Sequence, residues 1–505
     1  MSNEDKERPQ SEALKPQEVK GAIELLEAVV DDRGLLAALG PEERERLLIA
    51  AGRVSRPNRQ ERRVLARARL KQERHVRKKK DQALLDQTGI RRLRTNPIFL
   101  TPRRQSLFDN AKATPLGEMS EDHTCYCCRR SYRVVHPFYD QMCVECGDFN
   151  YAKRSPEADL SGRVALVSGA RLKIGFQAAI MLLRSGCTVH VMTRFPKDAA
   201  KRYAAEEDFS EWGERVHIHG IDLRHTPSVE AFCQHLLETL SRLDFIINNA
   251  CQTVRRPPGF YAHLIAHEQA DLKSLPAEEA ALLALGREHT PMGAELVTFQ
   301  GSPESLSSAE LTQVALLPED REGGHTLFPE GQLDQDLQQI DLRRVNSWRL
   351  KLADVPTIEL LEVHLVNAVA PFIINARLKP LMASVPTADK HIVNVSAMEG
   401  QFYKTFKTDK HPHTNMAKAS LNMMTRTSAA DYLESGIHMN SVDTGWVTDE
   451  DPVVQAEMKR EQHNFHPPVD IVDGAARIVD PIFHGFQNGE HVWGQFLKDY
   501  KPTDW

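Results

Sequence analysis

The stretch "RVALVSGARLKIGFQAAIMLLRSGCTVHVMTR", residues 163–194, decides the fold. "RVALVSG" is a short apolar run with the length of a buried strand. "KIGFQAAIMLLRSG" then carries apolar residues at helical spacing and closes on Gly186, a helix stop. "CTVHVMTR" reads as a second strand. Strand, helix and strand in this order form a βαβ unit, which requires a parallel sheet. The turn joining the first strand to the helix carries Gly169 and Gly175. Such a turn can present backbone N–H groups to a pyrophosphate at the helix N-terminus. A plain βαβ turn that binds nothing shares this pattern, so the turn needs support from elsewhere in the chain.

That support comes in sequence order. "IDL" with Asp222 follows a third strand, and "LDFIINNAC" is a fourth strand ending in Asn248-Asn249-Ala250. "LVNAVAPFIINARLKPLM" is a helix with Asn367, and "HIVNVSAMEG" a strand ending at Ser396. "TNMAKASLNMMTRTSAADY" is a helix with Lys418, and "IHMNSVDTGWVTDEDP" a strand running into a turn. On these landmarks residues 161–505 resemble the short-chain dehydrogenase/reductase family. The resemblance implies a Rossmann-like, doubly wound parallel sheet of α/β class that binds NADP or NAD. It places the pyrophosphate turn at Ser168, Gly169, Arg171, Lys173, Ile174 and Gly175. Asp222 falls near the adenine, Asn249 and Ala250 beside the cofactor, and Thr448 at the carboxamide. Lys418 falls on the nicotinamide ribose, Ser396 on the substrate oxygen, and Asn367 on a relay water. Arg194 ends the second strand where an NAD enzyme often has an acid. A guanidinium there suits a 2′-phosphate, with Arg171 and Lys197 adding charge, so NADP is the expected cofactor.

The sequence departs from the family three times. Lys173 stands where the family has its middle turn glycine. The interval from Asn249 to Asn367 is 118 residues, against about two dozen for a compact core of roughly 250 residues. Residues 254–350 therefore read as an insertion, with "SLPAEEAALLALG" a helix and the rest mostly acidic loop. It leaves the sheet at the carboxyl end of a strand, and a substrate lid and a partner-docking surface both fit that position. Third, Thr414 occupies the place of the family's catalytic tyrosine, four residues before Lys418, and an aliphatic hydroxyl is too weak an acid for proton donation at neutral pH. Tyr403, His411 and His413 precede it as replacement candidates, Tyr403 being chemically closest and histidine having the better intrinsic pKa.

Upstream, Cys125-x-x-Cys128 and Cys143-x-x-Cys146 are separated by fourteen residues. Two such knuckles can close a tetrahedral thiolate cage on Zn²⁺, and four cysteine ligands make the role structural. An iron–sulfur cluster is the alternative. Cys127 is a spare thiol, and His123 and His136 are substitute ligands. "GDFNYAKRSP" reads as a linker to the next domain. Clustered thiols point to metal in a reducing compartment. With no secretion signal in "MSNEDKERPQSEALKPQ" and no run of eighteen apolar residues, a cytoplasmic protein with no membrane span is expected.

The resulting organisation is a disordered tail over 1–17, a helical region over 18–110, a four-cysteine zinc knuckle over 120–153 and a short-chain dehydrogenase-like domain over 160–505. Two or three short helices are expected over 19–54, one starting at Gly40-Pro41. A single long basic helix is expected to follow. Residues 53–80 carry thirteen Lys/Arg and two Glu, about +11 within a chain of net charge −6. That segment is either a solvated face or a contact for protein or RNA, though it lacks the aromatics of base stacking. Two functions compete. One is an oxidoreductase acting on a small-molecule carbonyl or alcohol, with Ser396, Lys418, Asn367 and Tyr403 as the catalytic set and a homo-oligomer expected from the resemblance. The other is a catalytically inactive nucleotide-binding scaffold whose knuckle and basic helix do the work.

Overall fold

The computed structural model describes residues 15–102, 114–288, 306–321, 324–403, 407–448, 450–463 and 465–505. The chain forms two compact units, one ending at Lys79 and the other spanning Lys80–Trp505. In the first unit, helices Pro16–Asp31 and Pro41–Ser55 flank a 3-10 turn at Arg33–Ala38, and none of these segments buries a residue. The helix starts at Pro16, inside the expected tail, whose residues 1–14 lie outside the described set. The basic helix runs Arg59–Leu85 and then breaks, with Thr88-Gly89 leading into a separate helix, Gly89–Thr95. A Cβ on Gly89 would lie 2.5 Å from the Phe138 ring, so glycine is required where this second helix starts against the knuckle.

The knuckle is a hairpin, β1 Gly117–Thr124 with β2 Ser131–Val135, followed by helix Val144–Lys153. The stretch expected to be a linker is therefore largely helical. It is also fixed in place. The buried Arg154 guanidinium takes Asp470 at 2.7 and 2.9 Å and Asp473 at 2.8 Å, and Tyr139 donates to Asp473 at 2.5 Å. A desolvated ion cluster of this kind tolerates no displacement, since separating it strands buried charge. The knuckle and the sheet that follows thus act as one body.

The strands of that sheet are β3 Val164–Ser168, β4 Thr188–Thr193, β5 Val216–Gly220, β6 Phe245–Asn248, β7 Lys390–Ser396, β8 Ile437–Asp443, β9 Phe496–Lys498 and β10 Lys501–Thr503. They form one eight-stranded sheet ordered β10-β9-β8-β7-β6-β3-β4-β5. All neighbours pair in parallel except β9 with β10. Side-chain alternation splits the core across the two faces. Ala165 and Val167 of β3 face the helices Lys173–Arg184 and Ile471–Asn488, and Leu166 faces Thr226–Thr239 and Ala370–Ser384. Being covered on both faces explains why the strands read as continuous apolar runs. The insertion protects the sheet's edge: helix Ala277–Glu288 lies along β5, with Leu282 and Leu283 buried in the core that holds Ile218.

The helical path Thr357–Ser384 is long and apolar enough to cross a membrane by length and composition, which the reading of apolar runs did not anticipate. It is a core helix here. Glu359, Glu362, Asn367 and Asn375 on it are buried, and Glu362 pairs with Arg224 and Arg255 at 2.8 and 2.9 Å. One π-helical turn, Leu365–Val369, interrupts it at Asn367.

Candidate active site

A cavity of about 960 Å3 runs along the carboxyl edge of the sheet. Residues after β3, β4, β5, β6, β7 and β8 all reach it, including Gly169, Arg194, Asp222, Ala250, Ser396 and Thr448. This is the edge where open α/β sheets bind ligands.

At one end the turn glycines are sterically required. Gly169 has φ +67, and a Cβ there would lie 2.7 Å from Ala250 Cα; one on Gly175 would lie 2.3 Å from Asn249 Nδ2 and 2.4 Å from the Gly169 carbonyl. Asn249 Nδ2 donates to the carbonyls of Ser168 and Gly169 at 3.2 and 3.1 Å, tying the turn to β6. Ser168 serves the turn from behind, its hydroxyl accepting from Ala250 N–H at 3.1 Å. Ile174 lines the cavity and packs on Gly474. Lys173 takes a left-handed conformation, φ 55. Its ammonium lies 3.7 Å from Asp336 of the insertion. Burial works against its charge, but Asp336 and neighbouring acids hold its pKa above the usual lysine value.

The next stretch of wall is cationic. Arg194 donates to the Tyr261 hydroxyl at 2.7 Å and lies over that ring at 4.8 Å. Arg171 pairs with Asp198 at 2.5 Å, and burial pushes its pKa down. Lys197 does not join them: its ammonium donates to the carbonyls of Glu268 and Ala270, away from the cavity. Both Asp222 oxygens accept from Arg224, and this guanidinium keeps the carboxyl ionised below its usual range despite burial.

At the other end, Ser396 and Asp443 are register partners on β7 and β8. The Ser396 hydroxyl donates to the Lys418 carbonyl at 3.4 Å, and Lys418 Nζ donates to the Val395 carbonyl at 2.7 Å, keeping two further N–H groups. Asn367 is engaged at both amide atoms by the Gln252 backbone, at 2.7 and 3.1 Å, which locks the loop after β6. Thr448 donates to Glu450 at 2.7 Å. Thr414 is buried, its hydroxyl has no partner among the described residues, and it does not line the cavity. The two histidine candidates are also elsewhere. His413 is buried 3.3 Å from Glu359, and His411 stacks on Trp348 at 3.9 Å. Of the three candidate acids only Tyr403 lines the cavity, from its rim, with 81% of its surface exposed.

Several wall residues were not legible in the sequence. The insertion supplies Phe260, Tyr261, Gln338 and Trp348, so it walls the cleft. The knuckle supplies Tyr126 and Arg129, and β9 supplies Lys498. A tyrosine inside a cysteine motif reads as packing, and no local signal marks it as facing a ligand site built by segments far downstream.

The knuckle cysteines fit a metal. The four Sγ atoms of Cys125, Cys128, Cys143 and Cys146 lie within 4.8 Å of one another, with Cys128 and Cys143 3.8 Å apart. Zinc–sulfur bonds of about 2.3 Å in a tetrahedron give sulfur separations of about 3.8 Å. Arg130 Nε and the Cys143 N–H each point at a ligand sulfur at 3.4 Å. Cys127 stays outside the cage and packs on Met142; burial pushes its thiol up to about 12. His136 is used by Asp148 and two backbone N–H groups.

Residues 163–263 match the family model for short chain dehydrogenases, and residues 345–467 match the model for enoyl-(acyl carrier protein) reductase, leaving 264–344 unmatched between them. The chain belongs to the short-chain dehydrogenase/reductase family. An uncharacterized protein of Acanthamoeba polyphaga mimivirus is 30% identical over 74% of each chain. Bovine retinol dehydrogenase 12 is 30% identical over 21% of this chain and 35% of its own length, so that likeness is confined to part of that enzyme. Among solved structures, NADPH-bound carbonyl reductase from chicken fatty liver is 17% identical, covering 68% of this chain and all of that one, with a TM-score of 0.41.

Proposed function

We propose that the protein is an NADP(H)-dependent oxidoreductase that interconverts a small-molecule carbonyl and its alcohol. The observation that carries the cofactor preference is the placement of Arg194 at the end of β4, facing the cavity beside Arg171. A guanidinium pair at this position grips a 2′-phosphate, where an acid would grip a ribose hydroxyl. The bound nicotinamide supplies or takes up the hydride. Gly169 and Gly175 give the pyrophosphate close access to backbone N–H groups, and Lys418 holds the ribose with its two free N–H groups. Ser396 orients the substrate oxygen, and Asn367 fixes the loop that borders it. The four-cysteine cage holds a structural zinc. The aromatic side chains that the insertion adds to the cleft wall favour a hydrophobic carbonyl compound as substrate.

The test is titration of the full-length protein with NADPH and NADH, followed by turnover against a panel of aliphatic and aromatic aldehydes and ketones. NADPH binding at least tenfold tighter than NADH, lost in Arg194→Ala, is the expected result. Failure to bind either nucleotide refutes the reading.

A second reading concerns the first unit. Its helices expose Ile23, Leu48, Ile49 and Val64, and the third of them carries the run of basic side chains. This combination favours a protein or RNA partner. Salt-dependent binding of a single-stranded RNA that is lost on charge reversal of Lys78, Lys79 and Lys80 would support RNA. No binding would exclude it.

A further inference from the structure

On the helix that carries Lys418 no residue but that lysine lines the cavity, and the rim residue Tyr403 presents its phenol mostly to solvent. A different phenol lies deeper. Tyr126 projects from the turn of the knuckle hairpin into the cavity. Its hydroxyl accepts from the Trp446 N–H at 3.1 Å and donates to no protein group among the described residues. It also lies 3.2 Å from where a Cβ on Gly445 would be, so this glycine leaves room for it. Gly445 and Trp446 lie two and three residues beyond Asp443, the register partner of Ser396. The hydroxyl is therefore anchored to the loop that follows the strand beside the one ending in Ser396, with its proton uncommitted. A lysine attends it: Lys498 Nζ stands 5.1 Å from the ring centroid, 2.9 Å from Asp499 and 3.7 Å from Asp443. Arg129 lies over the ring at 5.7 Å.

We infer that Tyr126 is the proton donor of the reaction, delivered to the sheet by the zinc knuckle, with Lys498 in attendance. The inference rests on the carbonyl–alcohol reading above. In the reducing direction the carbonyl carbon gains hydride from the nicotinamide and the C=O π pair becomes an alkoxide lone pair. The Tyr126 O–H bond breaks, its proton forms the new O–H bond of the alcohol, and the phenolate recovers a proton from water at the cavity mouth. Trp446 N–H and the Lys498 ammonium stabilise the phenolate while it lasts. An alkoxide is a much stronger base than a phenolate, so the transfer runs downhill even for a phenol that burial has made less acidic. The knuckle then has a catalytic reason to be bolted to the sheet by Arg154, Asp470 and Asp473: a positioned acid must be held within hydrogen-bond reach of the atom it protonates.

The experiment compares wild type with Tyr126→Phe, Tyr403→Phe and Lys498→Met in the full chain. Zinc content, melting temperature and NADPH affinity are measured beside turnover on the carbonyl panel. Tyr126→Phe is expected to keep all three and lose turnover by about 100-fold or more, the usual scale for a removed acid. Tyr403→Phe, at the alternative donor on the rim, is expected to lose at least about tenfold less turnover than Tyr126→Phe. Lys498→Met is expected to lower kcat and kcat/KM together while KM, zinc content and NADPH affinity are kept. Retained turnover in Tyr126→Phe, or loss in Tyr403→Phe alone, overturns the inference while leaving the oxidoreductase reading intact. So does loss of turnover that comes only with loss of zinc or NADPH binding, or an unchanged kcat in Lys498→Met. An inactive wild type refutes the oxidoreductase reading itself, and the inference with it.

Discussion

Replacing Lys173 by glycine separates two forces that act at one residue. The lysine sits at φ 55, a conformation that costs a side-chain-bearing residue about 1–2 kcal/mol. Glycine removes that cost, but its freer unfolded chain takes back about 0.5–1 kcal/mol. The substitution also deletes the partner of Asp336, 3.7 Å away, an ion pair with the lysine 31% exposed and worth about 0–1 kcal/mol. These contributions nearly cancel, so the melting temperature should move by no more than about 4 °C. Cofactor binding should respond differently. If the ammonium serves the pyrophosphate, its loss removes a charge-assisted hydrogen bond of about 1.5–3 kcal/mol, or about 10- to 100-fold in NADPH affinity. Lys173→Met is the control, because it keeps the strained backbone and removes only the charge. Fluorescence titration of NADPH, with thermal melting on the same samples, measures both effects. Equal weakening in the two variants, relieved at high salt, supports phosphate contact. NADPH binding by Lys173→Gly as tight as wild type would refute it and assign the lysine to holding Asp336 and the insertion.

Cys143→Ser should lose one equivalent of zinc by metal analysis, and because the cage carries Tyr126, turnover should fall with it; unchanged zinc would exclude the cage. Glu268 gives a pH dependence. Burial raises its carboxyl from 4.5 to about 7, although the N–H groups of Lys197 and Asp198 oppose this. The folded state therefore holds this proton more tightly than the unfolded chain. Its stability contribution is full below about pH 4.5 and declines as pH rises through about 7, by at most about 3 kcal/mol. Glu268→Gln should flatten the wild-type melting profile over that window, and an identical slope in the variant would refute the assignment.

How much was legible depended on whether a residue's role was local. The βαβ turn, the strand ends at Asn249 and Ser396 and the lysine helix could be read because apolar periodicity and turn chemistry act over a few residues. The cysteine pairs were legible for the same reason, since metal cages draw on short spacings. The register partnership of Ser396 with Asp443 was not, because pairing between strands has no mark within either one. Lys197 shows the limit from the other side: a cation just past β4 looked suited to a phosphate, yet backbone carbonyls of the insertion captured it. His411 and His413 were chemically apt acids, but the turn into the helix packs one against Trp348 and the other against Glu359.

The sequence by itself determined that this chain is a short-chain dehydrogenase/reductase core with an insertion and a cysteine knuckle, and that Thr414 lacks the chemistry of the usual donor. Those facts follow from residue type and spacing along the chain. Only the tertiary structure decided what fills the cavity's far wall. Tyr126 and Lys498 lie 372 positions apart in sequence, and they meet because a buried ion cluster clamps the knuckle to the helix Ile471–Asn488. That contact is a property of packing between distant segments, on which neither segment's own sequence carries any local constraint.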